Sequence, residues 1–251
     1  MVEYGSQLYT FRKEIKTAAD LNRIMRFVSN AGGTCIQLSG IKCACKPEEV
    51  RKMADDNGLS IPLTHTPYAR IAEETERVAE EHLALGAGIV GLGMMSPAKL
   101  GKADTLKEFI EFASGICAKL KPYGLKFGYH NHAFEFRKTA DGRRIIDVLK
   151  EGAPEMQFIF DTFWCRYAGY DPAETISELK GRVECIHVKD WKKSLFIPRF
   201  RAPGEGDLDF KEILTRAVAA GTRYALIEHD NTSDPYRVTE AGLVYLNSLG
   251  I

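Results

Sequence analysis

Short apolar runs of strand type alternate with longer stretches in which apolar residues recur at helical spacing, and this alternation continues along the whole 251-residue chain. The predicted strands are 5–10, 34–38, 60–65, 89–93, 126–132, 157–163, 183–190 and 224–229. The predicted helices are 18–31, 47–57, 71–85, 104–120, 143–151, 172–179, 210–220 and 235–249. Strict alternation is typical of a parallel sheet, and eight repeats favour its closure. The pattern therefore predicts a single (β/α)8 TIM barrel that forms one domain over residues 1–251.

Composition narrows the classes of partner. Lysine plus arginine and aspartate plus glutamate number 34 each, so the zero net charge gives no electrostatic reason to expect nucleic acid or an anionic membrane. The sequence has no run of about 18 apolar residues, and its first residues lack a basic stretch followed by an apolar one. Its six scattered cysteines are typical of reduced thiols. We expect a cytoplasmic protein with neither nucleic acid nor membrane as partner.

Four apolar runs in the second half of the chain end in carboxylates or imidazoles: YHNHAFEF (129–136), FDTFW (160–164), IHVKDW (186–191) and IEHD (227–230). Successive side chains of a strand point to opposite faces of the sheet. His187 and Lys189 therefore share the face opposite Ile186, and Glu228 lies opposite Ile227. In a parallel barrel these strand ends meet at one rim, which is where such barrels have their active sites.

In the sixth predicted strand, Phe158 and Phe160 are predicted to pack outward against helices, and Ile159, Asp161 and Phe163 to face the interior of the barrel.

Asp161, His187 and Glu228 are predicted to face the interior of the barrel at this rim. Unpaired charges that are buried together cost considerable free energy, and a cation would compensate them. We therefore predict that these three side chains are metal ligands. Lys189 has two interpretations, as an ion-pair partner of the carboxylates or as a group that contacts a substrate oxygen.

Other polar residues near strand ends have structural explanations. Asp190 and Asp230 are predicted to cap the turns that follow their strands, as carboxylates in that position often do. His229 is predicted to be a hydrogen-bonded core residue, and His82 is predicted to be exposed on its helix.

The remaining strand ends offer candidates for contact with a substrate. These candidates are the polar ends of the first three predicted strands and two tryptophans close to the rim: Gln7, Gln37, His65, Trp164 and Trp191. The fourth strand has Gly91 and Gly93 in the corresponding positions, which we expect to leave room for a ligand. In the fifth strand His130 and His132 share one face, so both imidazoles are predicted to point inward.

Taken together, these motifs resemble those of the xylose isomerase-like TIM-barrel superfamily, in particular its sugar phosphate isomerase/epimerase group, which includes inosose dehydratases and ketose 3-epimerases. The resemblance extends from GSQLYTFR at the first strand, through GEGDLDF, to ALIEHD at the last. It implies one divalent metal ion, held by a glutamate of strand five, an aspartate of strand six, a histidine of strand seven and a glutamate of strand eight. The last three carry over to Asp161, His187 and Glu228.

The fifth strand departs from this family pattern. His130 stands where the family has its ligand glutamate, and Glu135 is the carboxylate available nearby. We take Glu135 as the fourth ligand; in the alternative, His130 or His132 coordinates the ion and Glu135 faces the substrate. Trp164 stands where ketose epimerases often have a histidine, so their substrate contacts do not transfer at that position.

The implied activity is that of a metal-dependent isomerase or epimerase of a small carbohydrate, acting through a metal-bound enediolate. The alternative is a lyase or dehydratase acting on a keto-sugar, keto-inositol or 3-keto-glycoside. Carboxylates with an imidazole suit Mn²⁺, Mg²⁺ or Co²⁺ and tolerate Zn²⁺. His130 or His132 is predicted to carry the proton, Lys189 to act as an electrophile, and Glu228 to flank the substrate. The sequence leaves the oligomeric state open, including a homo-oligomer.

Overall fold

Eight short runs rich in β-branched and aromatic residues form a closed parallel barrel in the computed structural model, which describes residues 2–195, 197 and 199–251. The barrel strands are β1 (Glu3–Gln7), β2 (Cys35–Leu38), β3 (Ser60–His65), β4 (Ile89–Leu92), β5 (Lys126–His130), β6 (Gln157–Asp161), β7 (Cys185–Val188) and β10 (Tyr224–Ile227). Each barrel strand pairs with the next barrel strand along the chain, and β10 pairs with β1 to close the barrel. Between β7 and β10, which pair with each other, the strands β8 (Asp190–Lys192) and β9 (Arg199–Arg201) form a separate sheet. The predicted (β/α)8 TIM barrel is confirmed.

Amphipathic helices surround the barrel, and several of them begin at capping residues. Thr17 forms a capping box at the first helix, and Asp171 and Asp234 each cap a helix whose first residue is proline. The α-helices are Ala18–Asn30, Pro47–Asp56, Tyr68–Glu73, Thr75–Leu85, Pro97–Leu100, Ala103–Leu120, Ile145–Gly152, Thr162–Tyr167, Pro172–Glu178, Phe210–Ala220 and Pro235–Ser248. Short 3₁₀ turns are Leu8–Phe11, Lys121–Tyr123 and Ala133–Phe136. Among the described residues, none of the helices combines the length and apolarity that crossing a bilayer requires.

The alternation of side chains along β6 separates two hydrophobic cores. Phe158 and Phe160 pack outward in the large core between the strands and the helices. Ile159 points inward and packs with Leu63, Leu226 and other small or branched residues in the core of the barrel itself. Asp161, the next inward residue, thus lies at the rim where this inner core ends. The predicted inward and outward faces of β6 are confirmed up to this residue.

Both β5 and β6 end two residues earlier than predicted. The Oδ1 atom of Asp161 accepts the backbone N–H of Trp164 at 2.9 Å, so Asp161 caps the helix Thr162–Tyr167 and ends the strand. Phe163 therefore lies in this helix and stacks on Phe200 at 4.0 Å between ring centroids. The prediction that Phe163 faces the interior of the barrel is wrong, because strand parity does not continue into a helix.

The segment after β7 folds into an antiparallel hairpin of β8 (Asp190–Lys192) and β9 (Arg199–Arg201). The carboxylate of Asp190 accepts the backbone N–H groups of Trp191, Gly204, Gly206 and Leu208, at 2.7, 3.0, 2.8 and 3.2 Å. A Cβ at Gly206 would lie 2.1 Å from Oδ1 of Asp190, so the loop can close around the carboxylate only with glycine there. Asp190 is thus a capping residue, as predicted.

The chain turns sharply after β5 around a buried carboxylate. Glu135 accepts the backbone N–H of His132 at 2.7 Å and the hydroxyl of Tyr129, and it is fully buried. Burial raises the pKa of Glu135 to about 7, against these hydrogen bonds, which lower it. Glu135 therefore fixes the path of the residues that follow β5.

Replacement of Gly5 by alanine should disrupt closure of the barrel, since a Cβ there would lie 1.7 Å from the carbonyl oxygen of Cys35 on β2. We expect G5A to lower the free energy of unfolding by about 3 kcal/mol, as overpacking does. The matched control is G115A in the exposed part of the helix Ala103–Leu120, where a Cβ meets nothing within 4 Å. The free energy of unfolding of G115A should rise by about 0.5 to 1 kcal/mol, because alanine has the higher helix propensity. Similar urea midpoints for the two variants would contradict this account of Gly5.

Glu135 should make stability depend on pH. Its pKa in the folded chain, about 7, exceeds the usual value of 4.5, so the folded state binds the proton more tightly than the unfolded state does. Stability should therefore fall as pH rises from about 4 to 8, by about 3 kcal/mol for a shift of this size. E135Q, measured by urea unfolding with chelator present, should lack this part of the pH dependence. Parallel curves for the two proteins would refute the assignment.

Candidate functional site

Four side chains from adjacent strands converge at the carboxyl end of the barrel. His130 and Asp161 are the last residues of β5 and β6, His187 lies in β7, and Glu228 follows β10. The register of the sheet brings Asp161 and His187 side by side, because they are paired residues of β6 and β7. One nitrogen or oxygen atom from each lies within 4.8 Å of the others, and all four side chains are buried. The structure thus brings together the predicted trio of Asp161, His187 and Glu228 and adds His130.

The ring of His187 is oriented by Gln37. Its Nε2 atom lies 2.6 Å from Oε1 of Gln37, so Nε2 donates to this amide oxygen and the lone pair of Nδ1 faces the carboxylate of Glu228. Nδ1 lies 2.8 Å from Oε2 of Glu228 and has no proton to donate to it, while Oε2 itself is held by the Lys189 ammonium at 2.9 Å. Burial lowers the pKa of His187, which favours the neutral ring despite the nearby carboxylate. Two buried acceptors that face each other are the arrangement that a cation satisfies.

His130 has the same arrangement. Its Nδ1 atom lies 3.1 Å from the carbonyl oxygen of Gly93 and donates to it, while Nε2 lies 3.3 Å from Oδ2 of Asp161. Histidines that bind metals commonly donate their outer N–H to a carbonyl or carboxylate in this way. Two imidazole nitrogens and two carboxylates therefore fit a divalent cation. Pattern analysis could not identify the role of Gly93, since a backbone carbonyl has no residue-specific signal.

Lys189 is buried and lies among three carboxylates. Its Nζ atom is 3.0 Å from Oδ2 of Asp161, 2.9 Å from Oε2 of Glu228 and 2.9 Å from Oδ1 of Asp230. Burial alone would lower the pKa of Lys189, but the carboxylates outweigh it and raise the pKa above its usual range. Lys189 is thus a charged ion-pair partner of the site, which was one of its two predicted interpretations.

Asp230 is a functional candidate that we expected to cap a turn. Its carboxylate instead binds Lys189 through both oxygens, at 2.9 and 3.1 Å, and lines the cavity above the site. Strand parity continued from β10 places Asp230 on the same face as Glu228. This pattern in the sequence already indicated that Asp230 points toward the site. The capping interpretation is wrong, because the ammonium offers a stronger partner than the local backbone does.

Glu135 lies outside the cluster. Both of its carboxylate oxygens are engaged in the turn after β5, by the hydroxyl of Tyr129 and the N–H of His132. The strand-five position in the cluster is taken by His130, the alternative that the sequence left open. Glu135, which we had taken as the fourth ligand, is thus placed as a structural residue.

A cavity of about 550 Å³ opens directly above the cluster. Gln7 and His65 line it as the sequence suggested, and Tyr9, Tyr68 and Met94 add aromatic and apolar walls. Gln7 also donates from Nε2 to Oε1 of Glu228 at 3.2 Å. A volume of this size is typical of a pocket for a small molecule.

His132 also lines this cavity. Its ring makes an edge contact with His130 at 4.7 Å between centroids, and its Nδ1 atom has no hydrogen-bond partner among the described residues. Burial and the neighbouring His130 lower the pKa of His132 to about 3, so the ring is neutral and by itself a weak base.

Three other predicted substrate contacts lie elsewhere. Gln37 is fully buried behind His187 and supports its ring. Trp164 packs beside His132 at 5.5 Å between centroids, and Trp191 lies under the guanidinium of Arg166 at 5.3 Å. None of the three is among the residues that line the cavity, as far as the described part of the chain shows.

Gly93 lines the cavity, as expected, whereas Gly91 does not: a Cβ at Gly91 would lie 2.2 Å from the carbonyl oxygen of Thr64 and 2.8 Å from Ile159, so this glycine allows close packing within the barrel. A further expectation is corrected. His82 is buried, not exposed: its Nε2 lies 2.8 Å from Oγ1 of Thr64 and its Nδ1 2.6 Å from the carbonyl oxygen of Val78. Its helix turns this face toward β3, which the helical pattern alone did not show.

Comparison with known proteins agrees with this geometry. The family described as xylose isomerase-like TIM barrel matches residues 25–249. An inosose dehydratase of Clostridium perfringens is 25% identical over 235 residues, covering 80% of this chain and 73% of that protein. A sugar phosphate isomerase/epimerase of Parabacteroides distasonis superposes with a TM-score of 0.82 at 21% identity, over 99% of this chain and 94% of the other.

An L-ribulose 3-epimerase superposes with a TM-score of 0.76 at 15% identity, over 99% of this chain and 94% of the other. At such identities the two superpositions establish the fold alone. The family match, in contrast, spans nearly the whole sequence and includes each residue of the cluster. The chain therefore belongs to the xylose isomerase-like TIM-barrel family.

Proposed function

We propose that this protein is a divalent-metal-dependent isomerase or epimerase of a small carbohydrate. One observation supports this proposal above the others. The inner nitrogens of His130 and His187 and the carboxylates of Asp161 and Glu228 converge within 4.8 Å directly beneath a cavity of small-molecule size. Each imidazole has its outer nitrogen bound to a carbonyl oxygen, which leaves the inner nitrogen as a ligand.

These four residues would hold the ion. The mixed oxygen and nitrogen donors favour Mn²⁺, Mg²⁺ or Co²⁺ and also accept Zn²⁺. When bound, such an ion polarises a carbonyl and the neighbouring hydroxyl of a sugar, and so acidifies the C–H bond between them.

Residues of the chain supply the rest of the chemistry. His132 is assigned as the group that takes up the proton from carbon, because its ring lines the cavity beside His130. The Lys189 ammonium lines the same cavity and stabilises negative charge that develops on a substrate oxygen. Glu228 flanks the substrate, since its side chain reaches the cavity beside Gln7. Delivery of a proton to the opposite face by a second group of the cavity gives epimerisation, and return of the proton from His132 to the next carbon gives isomerisation.

A second candidate function is dehydration of a keto-inositol or a related β-hydroxy ketone. It is favoured by the similarity to an inosose dehydratase, whose name gives that reaction. The cavity also accommodates it, since the buried ammonium of Lys189 can donate a hydrogen bond to a departing hydroxyl group. Both reactions begin with removal of a proton from carbon.

The metal site is tested by variants of the two competing strand-five residues. H130Q should lose bound Mn²⁺, because its Nε2 is one of four converging donors, whereas E135Q should retain one ion per chain. D161N should also lose the ion, and D56N, which alters an exposed carboxylate on a helix, is the matched control. Elemental analysis after dialysis, with circular dichroism to confirm folding, gives the stoichiometry. Metal lost from E135Q and kept in H130Q would reverse the assignment.

The reaction is tested in D₂O with keto-sugars and keto-inositols as substrates. Isomerisation or epimerisation should place solvent deuterium on the carbon next to the carbonyl, as NMR would show, because His132 exchanges its proton with solvent. Elimination should instead release water and leave an unsaturated ketone. If the ion polarises the substrate, chelator should lower the rate of either reaction by about a hundredfold or more. Turnover without deuterium, in which a label moves directly between adjacent carbons, would overturn proton abstraction.

A further inference from the structure

The Lys189 ammonium contacts the same two oxygen atoms that the metal site requires. Oδ2 of Asp161 lies 3.0 Å from Nζ and 3.3 Å from Nε2 of His130. Oε2 of Glu228 lies 2.9 Å from Nζ and 2.8 Å from Nδ1 of His187. Nζ and a divalent ion would therefore share both carboxylate oxygens and repel each other across them.

With a divalent ion bound, the charges in this region sum to zero only when a third carboxylate is counted. Asp161, Glu228 and Asp230 carry three negative charges, and Lys189 carries one positive charge. Addition of a divalent cation brings the sum to zero. Asp230 is outside the ligand cluster, so it can neutralise Lys189 while the other two carboxylates neutralise the ion.

We propose that Lys189 and the metal ion compete for Asp161 and Glu228, and that binding of the ion leaves the ammonium, which already contacts Asp230, paired with Asp230 alone. This inference rests on the proposed metal site. Asp230 is then a positioning residue: it holds the ammonium at the cavity wall, where a substrate oxygen meets it.

The backbone around Asp230 is fixed in a way that suits this role. Arg12 donates from Nη2 to the carbonyl oxygen of Asp230 at 2.7 Å, and the backbone N–H of His229 donates to Oγ1 of Thr10 at 3.1 Å. Both contacts come from the loop after β1, on the other side of β10 from Lys189. The carboxylate that keeps the ammonium is therefore held from outside the metal cluster.

The competition predicts opposite effects of two substitutions on metal affinity. K189M removes the competing cation, so metal-stripped K189M should bind Mn²⁺ at least about tenfold more tightly than the unaltered chain in calorimetry. D230N removes the acceptor of the displaced ammonium and should bind about tenfold more weakly, with D230E restoring much of the affinity. K192M and D207N alter an exposed ion pair of the hairpin and should change neither value.

A double-variant cycle separates positioning from direct attraction of the ion. If Asp230 acts through Lys189, D230N should weaken binding far less in the K189M background than in the unaltered chain. An equal loss in both backgrounds would overturn the role of Asp230.

Thermal unfolding supplies a readout that does not depend on activity. Metal-stripped K189M should melt well below the unaltered chain, since its buried carboxylates then lack a cation. Mn²⁺ should raise the melting temperature of K189M by more than it raises that of the unaltered chain. If K189M does not fold without metal, the D230N and D230E affinities decide the inference. Mn²⁺ binding by the unaltered chain without tighter binding in K189M would overturn the competition alone. Failure of the unaltered chain to bind any divalent ion would overturn the metal site as well.

Discussion

Negative charge buried at the carboxyl end of the barrel is the constraint on which the site depends. Asp161 and Glu228 are fixed there by the strands, and because both side chains are buried their charges are costly to leave unpaired. Lys189 between them, His187 with its lone pair turned inward and Asp230 beyond are all arranged around this charge. The fold supplies the positions, and electrostatics explains which side chains occupy them.

Strand parity was sufficient to predict much of this arrangement. The inward faces of Ile159 and Asp161 and the convergence of Asp161 with His187 and Glu228 follow from alternation within a closed sheet. Parity is unreliable where hydrogen bonding ends the strand. Phe163 was placed on the wrong side of the chain because Asp161 caps a helix directly after β6. The ends of strands depend on individual side-chain contacts, which a periodic pattern does not contain.

The choice between His130 and Glu135 shows the same limit. Tyr129 lies on the outer face of β5, in the large core, and its hydroxyl binds the carboxylate of Glu135. This contact holds Glu135 on the outer side of the turn, whereas His130 ends the strand on the inner face. The decision depends on one buried hydrogen bond between residues six positions apart. The sequence offered both candidates, and only the folded turn distinguishes them.

The four hydrogen bonds from backbone amides to the Asp190 carboxylate affect which parts of this protein can change in evolution. These amides close both ends of the hairpin segment at the base, immediately beside Lys189. The far end of the hairpin, where Leu195 and Ile197 are exposed, is thereby mechanically separate from the charged site. Changes at that end of the hairpin should therefore move Lys189 little, so the rim can vary there around an unchanged chemical centre.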